Sequence, residues 1–231
     1  MAVPILRLLS YNVRSMRDDR AALARVIRSA EPDVVCVQEA PRFLRWRSTC
    51  AALARSCGLV VVGGGRPAGA NLIMSSMAVD VIKTVDVLFS KDPGLHQRGV
   101  ALAVLRFRGS EFSVAGTHLD GREEPRLRHI VELNSAVSRY LPPDKPVIVA
   151  GDVNDHPGSP TWLALTERWV DAFAAAGVGS AFTSTGADPY QTIDGIFVDP
   201  RITVVSARVL DGPDVEVASD HRPVLAVLDL P

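Results

Sequence analysis

The sequence predicts an α/β fold in which strands outnumber helices. Short apolar runs, typical of strands buried on both faces, recur along the 231 residues. Other segments place their apolar side chains at helical spacing instead. Several strand-like runs follow one another without a helix between them, which argues against a simple alternating parallel sheet.

The strand-like runs are bounded by turns that carry Gly and Pro, as in the segment 63–69. In chain order, we predict strands at residues 5–11, 33–37, 58–62, 71–75, 79–89, 99–107, 111–117, 147–151, 192–198, 202–210 and 223–229.

Two helices are predicted in the first quarter of the chain. Residues 18–30 carry a helical apolar stripe that ends before Pro32. Pro41 fits the first turn of a second helix, which we expect to continue through roughly residue 57.

Two further helices are predicted in the second half. The segment 123–141 has apolar residues near helical spacing, and Glu123 and Glu124 lie where negative charge favours a helix N-terminus. Ser159 followed by Pro160 is typical of an N-cap and first helical position.

Composition favours one domain that covers residues 1–231. The apolar fraction of 47% is ample for a core, and no repeat, low-complexity tract or linker interrupts the chain. The net charge of −1 lowers the expectation of nonspecific binding to long duplex DNA. The three cysteines show neither CxxC spacing nor a zinc pattern.

No membrane or export segment is evident in the sequence. Arg7 interrupts the short apolar stretch at the N-terminus, so we interpret this stretch as a strand and not as a signal peptide. No run approaches the roughly 18 apolar residues of a membrane span. We therefore expect a cytoplasmic protein that acts as a monomer without stable membrane insertion.

Six polar motifs lie at the ends of strand-like runs. They supply carboxylates, carboxamides and imidazoles, the groups that bind hard metal ions and move protons. The motifs are SYNVR around Asn12, VQEA around Glu39, GTHLD around His118, GDVND around Asp152, IDGIF around Asp194 and SDHRP around His221.

Together these motifs resemble those of the endonuclease/exonuclease/phosphatase superfamily, which includes DNase I, AP endonucleases, bacterial sphingomyelinases and inositol polyphosphate 5-phosphatases. The resemblance covers nearly the whole chain. It implies a DNase I-like fold, a four-layer α/β/β/α sandwich of two packed mixed sheets. The active site would lie at one edge of that sandwich, on loops that follow strand ends.

The resemblance also implies a metal site. Glu39 of the Gln-Glu dipeptide would be the main ligand of Mg²⁺, with Mn²⁺ as an alternative ion. Asn12 would contact metal-bound water or phosphate, and Asp220 would contact metal or water. Taken singly, an Asn after a strand is more often a turn residue, and an acid at a helix start is commonly solvated.

The catalytic roles come from the same resemblance. Asp152 would position or activate the nucleophile, and Asn154, two residues on, would contact phosphate. Asp194 would orient His221, and His118 would stabilise phosphate charge or the leaving group. As bare patterns, GDVND is also a good turn sequence, and a lone His at a strand end is usually structural.

The chain departs from the family pattern at two positions. Gly195 stands where an aromatic residue is common, which predicts a small gap near the site. Ser76 replaces an arginine in the strand that begins with the retained Asn71, so a second cationic contact would have to come from elsewhere, for example Arg98.

Two groups of residues are interpreted as surface features. Asp120 and Arg122 fit a solvated loop better than a site, although Arg122 has the geometry to grip phosphate. A basic cluster with one aromatic residue is typical of an ordinary charged helix face, with a polyanion path as the alternative: Arg42, Arg45, Trp46 and Arg47.

The sequence thus predicts a metal-dependent phosphoesterase that hydrolyses a phosphomonoester or phosphodiester by in-line attack of water, without a covalent enzyme intermediate. The near-neutral charge and the THLD motif favour a small phosphorylated substrate over long DNA. A DNA or RNA nuclease is the alternative, so nucleic acid stays a candidate partner. A non-catalytic binding protein on this fold is the alternative from another class, and sugar hydrolysis would not require the His and Asn positions.

Overall fold

The computed structural model describes residues 4–185 and 187–231. In these two ranges the strands are β1 (Ile5–Asn12), β2 (Val34–Gln38), β3 (Val60–Gly65), β4 (Asn71–Ser75), β5 (Val79–Leu88), β6 (Gly99–Phe107), β7 (Ser110–His118), β8 (Val147–Asp152), β9 (Val170–Asp171), β10 (Asp194–Val198), β11 (Thr203–Val209) and β12 (Val224–Asp229). The α-helices are α1 (Arg20–Ser29), α2 (Trp46–Ser56), α3 (Glu123–Tyr140), α4 (Pro160–Thr166), α5 (Ala172–Ala176) and α6 (Pro213–Ala218).

The strands form two six-stranded mixed sheets. Sheet 1 has the order β11-β12-β1-β2-β4-β3, and sheet 2 has the order β5-β6-β7-β8-β10-β9. The pairs β1–β2 and β7–β8 are parallel, while the other adjacent pairs are antiparallel. Each parallel pair is joined by a crossover that contains a helix, α1 or α3, as parallel pairing requires.

Alternation along the strands produces the layers. In β1, Leu6 and Leu8 pack into the core between the sheets, while Leu9 and Tyr11 face the helices outside sheet 1. Helices α1, α2 and α6 cover sheet 1, and α3 and α4 cover sheet 2. Burying each such Leu stabilises the fold by about 1.5–3 kcal/mol. The predicted four-layer α/β/β/α sandwich is therefore confirmed.

Local signals fix several helix ends. Asp19 accepts hydrogen bonds from the backbone N–H groups of Ala21 and Ala22 at the start of α1. The predicted N-cap Ser159 accepts one from Trp162 N at 3.3 Å.

No helix in the described part of the chain is both long and apolar enough to cross a membrane.

The predicted start of the second helix at Pro41 is wrong. Helix α2 begins at Trp46, after Arg45 in the left-handed region (φ 61°) without a side-chain cap. Ala40 N instead donates to Ala70 O, which ties this segment to the loop before β4. The short elements β9, α5 and α6 were not predicted, because two to six residues are too few to show a period.

Candidate active site

Three of the predicted site residues form one row across sheet 2. His118 lies opposite Asp152 on the parallel pair β7–β8, and Asp152 lies opposite Asp194 on the antiparallel pair β8–β10. All three side chains are buried. Their spacing is therefore set by strand register and not by loop conformation.

Sheet 1 brings Asn12 and Glu39 to the same edge. Asn12 pairs with Gln38 at the ends of β1 and β2, and Glu39 follows directly with φ 51°. Asn12 Nδ2 donates to Asp152 Oδ2 at 2.9 Å and lies 3.4 Å from Glu39 Oε1. Its Oδ1 accepts from Arg14 N at 3.0 Å. Asn12 thus joins Glu39, beside sheet 1, to Asp152 of sheet 2 through its amide N–H groups.

Asp152 is the centre of the cluster. Besides the bond from Asn12, its Oδ2 lies 3.2 Å from His118 Nε2 and 3.8 Å from His221 Nε2. Burial and the neighbouring carboxylate of Asp194 raise the pKa of Asp152 to about 7, against the opposing effect of His221 and the hydrogen bonds. A carboxyl group with this pKa gains or loses a proton near neutrality.

His221 and Asp194 form a hydrogen-bonded dyad, with Nδ1 and Oδ2 2.8 Å apart. Burial lowers the pKa of His221, but the charges of Asp194 and Asp152 outweigh it and raise this pKa to about 10. Ser219 Oγ accepts from His221 N and donates to Asn12 O. Thr183 Oγ1 accepts from Asp194 N. Backbone contacts therefore hold both members of the dyad.

His118 is held in one tautomer by Arg98. Burial and the Arg98 charge lower the pKa of His118 well below its usual value, so the ring is neutral. Because Arg98 Nη1 donates to Nδ1 at 2.9 Å, the ring proton lies on Nε2, the atom that faces Asp152. Arg98, the residue expected as an alternative source of the cationic contact that Ser76 cannot supply, thus lies beside His118.

N–H donors outnumber acceptors around His118. Asn154 Nδ2 donates to Leu119 O and lies 3.0 Å from His118 Nε2, which itself carries a proton. Arg98 Nε is buried and has no hydrogen-bond partner among the described residues. A surplus of donors next to a cationic guanidinium suits an anionic oxygen group.

Two carboxylates at the edge are partly open to solvent. Glu39 is half-buried, and Asp220, whose side chain is 41% exposed, pairs with Arg14 Nε at 3.2 Å. Their carboxylate oxygens form a sparse ligand set of the kind that suits Mg²⁺, whereas the amide oxygen of Asn12 already accepts from Arg14 N. Asp152, Asp194 and His221 also present ligand atoms within 4.8 Å of one another, but the dyad hydrogen bond already occupies two of them.

Other predicted residues have structural roles. Asn71 is buried, and its Nδ2 donates to Ala68 O and Gly99 O. Arg122 is exposed, as expected of a solvated loop. The same interpretation of Asp120 is wrong, because its side chain is buried and Oδ1 accepts from Arg122 N at 2.9 Å, closing the turn after β7.

Sequence reasoning missed Arg126, which joins the loops that follow β7 and β8. Its Nη1 donates to the carbonyls of Asp120 and Gly121, its Nη2 to Asp155 Oδ2, and its Nε to Thr161 Oγ1. The available signal was its position four residues before Ile130, in line with the buried stripe of α3.

The small gap predicted at Gly195 is filled by the rings of Phe197 and Trp162, although a cavity lies close by. This cavity of about 240 Å³ is lined by apolar side chains that include Trp162, Phe173 and Ile196. A Cβ at position 195 would lie 2.7 Å from the ring of Phe197, so a larger residue would require that ring to move.

The fold and the cluster at its edge define a class. Two packed mixed sheets with helices outside, and a histidine–carboxylate cluster at one edge, are the architecture of DNase I-like proteins. A family model described as the Endonuclease/Exonuclease/phosphatase family matches residues 9–221, and the chain belongs to this family. Members of the family are hydrolases that act on phosphoester bonds.

Similar solved structures span several activities. An endonuclease/exonuclease/phosphatase from Bacteroides vulgatus is 21% identical, with a TM-score of 0.83 over 99% of this chain and 100% of that chain. A mannosyl-6-phosphatase from Bacteroides thetaiotaomicron is 18% identical, with a TM-score of 0.82 over 96% and 99%. D. rerio TDP2, complexed with single strand DNA product, is 19% identical, with a TM-score of 0.74 over 97% and 98%. No curated protein sequence matches the chain.

Proposed function

We propose that the protein is a metal-dependent phosphoesterase that hydrolyses its substrate by in-line attack of water. The observation that carries this proposal is the position of Asp152. Its Oδ2 lies between Asn12 on the side of Glu39, the neutral His118, and the His221–Asp194 dyad. A carboxylate suited to accept a proton, N–H donors and candidate metal ligands thus lie next to one another.

The donor-rich side would bind the phosphoryl oxygens. His118 Nε2–H and Asn154 Nδ2 lie side by side, and Arg98 adds positive charge next to them. Donors fixed in advance stabilise the charge that develops on a transferring phosphoryl group, without the reorganisation that water requires.

Asp152 and His221 would handle the proton and the charge. Because its pKa is raised to about 7, Asp152 is suited to accept the proton of the attacking water. His221, oriented by Asp194 and protonated at neutral pH, would assist by stabilising negative charge on the phosphoryl group and on Asp152.

Glu39 would hold the metal ion, with help from Asn12 and Asp220. Asn12 contributes here through its contact with Glu39, since its N–H groups face the carboxylates. A bound Mg²⁺ or Mn²⁺ would polarise the phosphoryl group and stabilise the leaving oxygen.

A single domain, a monomeric state and a cytoplasmic location stay predictions from the sequence.

The test is the hydrolysis of bis(p-nitrophenyl) phosphate and p-nitrophenyl phosphate, with and without EDTA. We expect activity that EDTA removes and added Mg²⁺ or Mn²⁺ restores. Asp152→Asn should abolish it, whereas Asp211→Asn, at an exposed carboxylate outside the cluster, should retain it. Activity unchanged by EDTA, or by Asp152→Asn, would refute the mechanism. Absence of turnover on any phosphoester would favour the binding-protein alternative.

A further inference from the structure

A basic groove lies on the surface beside the proposed active site. Its volume is about 740 Å³, and it is formed mainly by the segment 42–47 together with Arg66. We call it the arginine groove and define it by six residues: Arg42, Phe43, Arg45, Trp46, Arg47 and Arg66. Since α2 begins only at Trp46, Arg42 and Arg45 lie before the helix and do not belong to the charged helix face that the spacing predicts, whereas Arg47 lies within the helix.

The positive charge of the groove is not balanced locally. Within residues 4–185 and 187–231, none of its four arginines forms an ion pair, and no Asp or Glu lines it. By contrast, Arg25, Arg106 and Arg128 elsewhere on the surface are each paired with a carboxylate. In a chain with net charge −1, a group of unpaired arginines creates a local positive potential, which favours the binding of an anion.

The groove also exposes aromatic surface. Phe43 is 72% exposed, and Leu44 beside it is 93% exposed. Trp46 packs against Gly65, where any side chain would collide with the indole ring, and Arg47 lies over that ring at 4.4 Å from its centroid. Aromatic and guanidinium planes next to unpaired arginines suit a ligand that carries both a planar ring and phosphate.

The groove lies close to the proposed active site. Its first residue, Arg42, is three residues after Glu39, and its Nη2 lies 3.5 Å from His96 Nδ1. Gln97 lines the groove, while the next residue, Arg98, contacts His118. A ligand that extends from the phosphoryl site past His96 would therefore reach the arginines.

We propose that the arginine groove binds a nucleotide unit of the substrate, a phosphate with a planar base attached, next to the phosphoester that is hydrolysed. This inference rests on the proposed function for the position of the reacting bond, and it adds the substrate class. The unit could belong to a short single strand or to a small dinucleotide, because both carry the same phosphate and ring.

Binding without turnover tests the groove independently of catalysis. Fluorescence anisotropy in EDTA would follow labelled hexathymidylate, with unlabelled pTpT and inorganic tripolyphosphate as competitors. We expect the double variant Arg45→Glu/Arg66→Glu to weaken hexathymidylate binding at least tenfold, and Phe43→Ala to weaken it roughly fivefold to a hundredfold. Arg55→Glu, an exposed position at the other end of α2, is the matched control and should change binding less than twofold.

A kinetic comparison separates the groove from the site. In the double variant, kcat/KM for bis(p-nitrophenyl) phosphate should stay within twofold of wild type. By contrast, kcat/KM for hexathymidylate should fall at least tenfold. An equal loss for pTpT and hexathymidylate would identify the dinucleotide as sufficient, and a larger loss for hexathymidylate would identify a single strand.

Two results would overturn the proposal. Unchanged thymidylate binding in the double variant would show that the arginines do not hold the ligand, even if phosphoesterase activity is present. If tripolyphosphate competes as strongly as pTpT and Phe43→Ala has no effect, the groove does not recognise the base of the ligand. A wild type that binds thymidylate through these arginines but hydrolyses no phosphoester would refute the proposed function and leave the groove standing.

Discussion

The two sheets contribute to the site in different ways. Sheet 2 supplies His118, Asp152 and Asp194 from paired strand positions, and all three side chains are buried. Glu39 follows strand β2 of sheet 1 and has a positive φ, and Asp220 lies in the segment before β12. Both carboxylates are partly exposed. One half of the site is held rigidly by the sheet, and the other is open to water.

The difference matches two chemical requirements. Proton transfer and charge stabilisation need groups fixed in a dry environment, where hydrogen bonds and charges act most strongly. A bound Mg²⁺ keeps several waters and contacts substrate, so its ligands must be reachable from solvent. Asn12, buried between Asp152 and Glu39, is the link between these halves.

The largest effect is expected from breaking the dyad. His221→Ala and Asp194→Asn should each lower kcat/KM by about 10²–10⁴, the usual range for acid–base groups. The double variant should be little worse than the poorer single variant, because the two residues act as a unit. Steady-state kinetics of all three variants on bis(p-nitrophenyl) phosphate checks this. Fully multiplicative losses would separate Asp194 from His221 and make Asp220 the candidate partner.

The open half is tested by Glu39→Gln, which removes one charge and keeps the shape of the side chain. We expect Mn²⁺ affinity, measured by electron paramagnetic resonance, to fall by at least about 100-fold, the upper end of what loss of an outer-shell partner costs. Turnover should fall with it, while circular dichroism shows an intact fold. Asp220→Asn, already paired with Arg14, should have a smaller effect. Wild-type affinity in Glu39→Gln would remove the metal assignment.

Arg126 tests how the rigid half is held in place. Arg126→Met removes a donor from the carbonyls of Asp120 and Gly121 and the ion-pair partner of Asp155, whose side chain is only 10% exposed. Removing one partner of a buried ion pair should lower the free energy of unfolding by about 3 kcal/mol, as measured by urea denaturation.

Arg128→Met is the matched control on the same helix. Arg128 pairs with Asp92 at 2.6 Å, but both side chains are more than a third exposed, at 37% and 40%. Exposed pairs contribute about 0–1 kcal/mol, so this variant should be nearly as stable as wild type. Equal losses in the two variants would mean that Arg126 does not fasten the loops in the way its contacts indicate.

The strands were predictable because burial on both faces leaves a continuous apolar pattern, as in residues 33–37. The start of α2 was not, since Pro41 is equally compatible with a loop, and the backbone bond from Ala40 to Ala70 decides between them. Contacts between segments distant in the sequence override a local signal of this kind.

The residues of the candidate site were predictable from their motifs, but their geometry was not. Asp152 and Asp194 are 42 positions apart, and only the register of β8 and β10 places them opposite each other. Arg126 illustrates the remaining limit. A charged residue in an apolar stripe is visible in the sequence, yet its partners lie on two loops whose proximity depends on the whole sheet.

The smallest expected effect is the pH dependence of the folding stability that the dyad contributes to the metal-free protein. The pKa of His221 is raised from its ordinary value near 6.5 to about 10 in the folded state. A raised histidine pKa stabilises the fold fully below the unfolded value, and this contribution is lost as pH rises through about 10. Above pH 7.5 Asp152 is largely past its own pKa of about 7, which leaves His221 as the group of the pair that still titrates.

The difference in unfolding free energy between wild type and His221→Gln should therefore narrow from pH 7.5 to pH 10. Its slope cannot exceed about 1.4 kcal/mol per pH unit, the limit for one proton. Urea unfolding in EDTA at four pH values measures it. The same pair of proteins in an Asp152→Asn background removes the change in the pKa of Asp152 that loss of the His221 charge would cause. A difference that stays constant across this range would show that His221 is neutral in the rigid half, and it would then be available as the proton acceptor in place of Asp152.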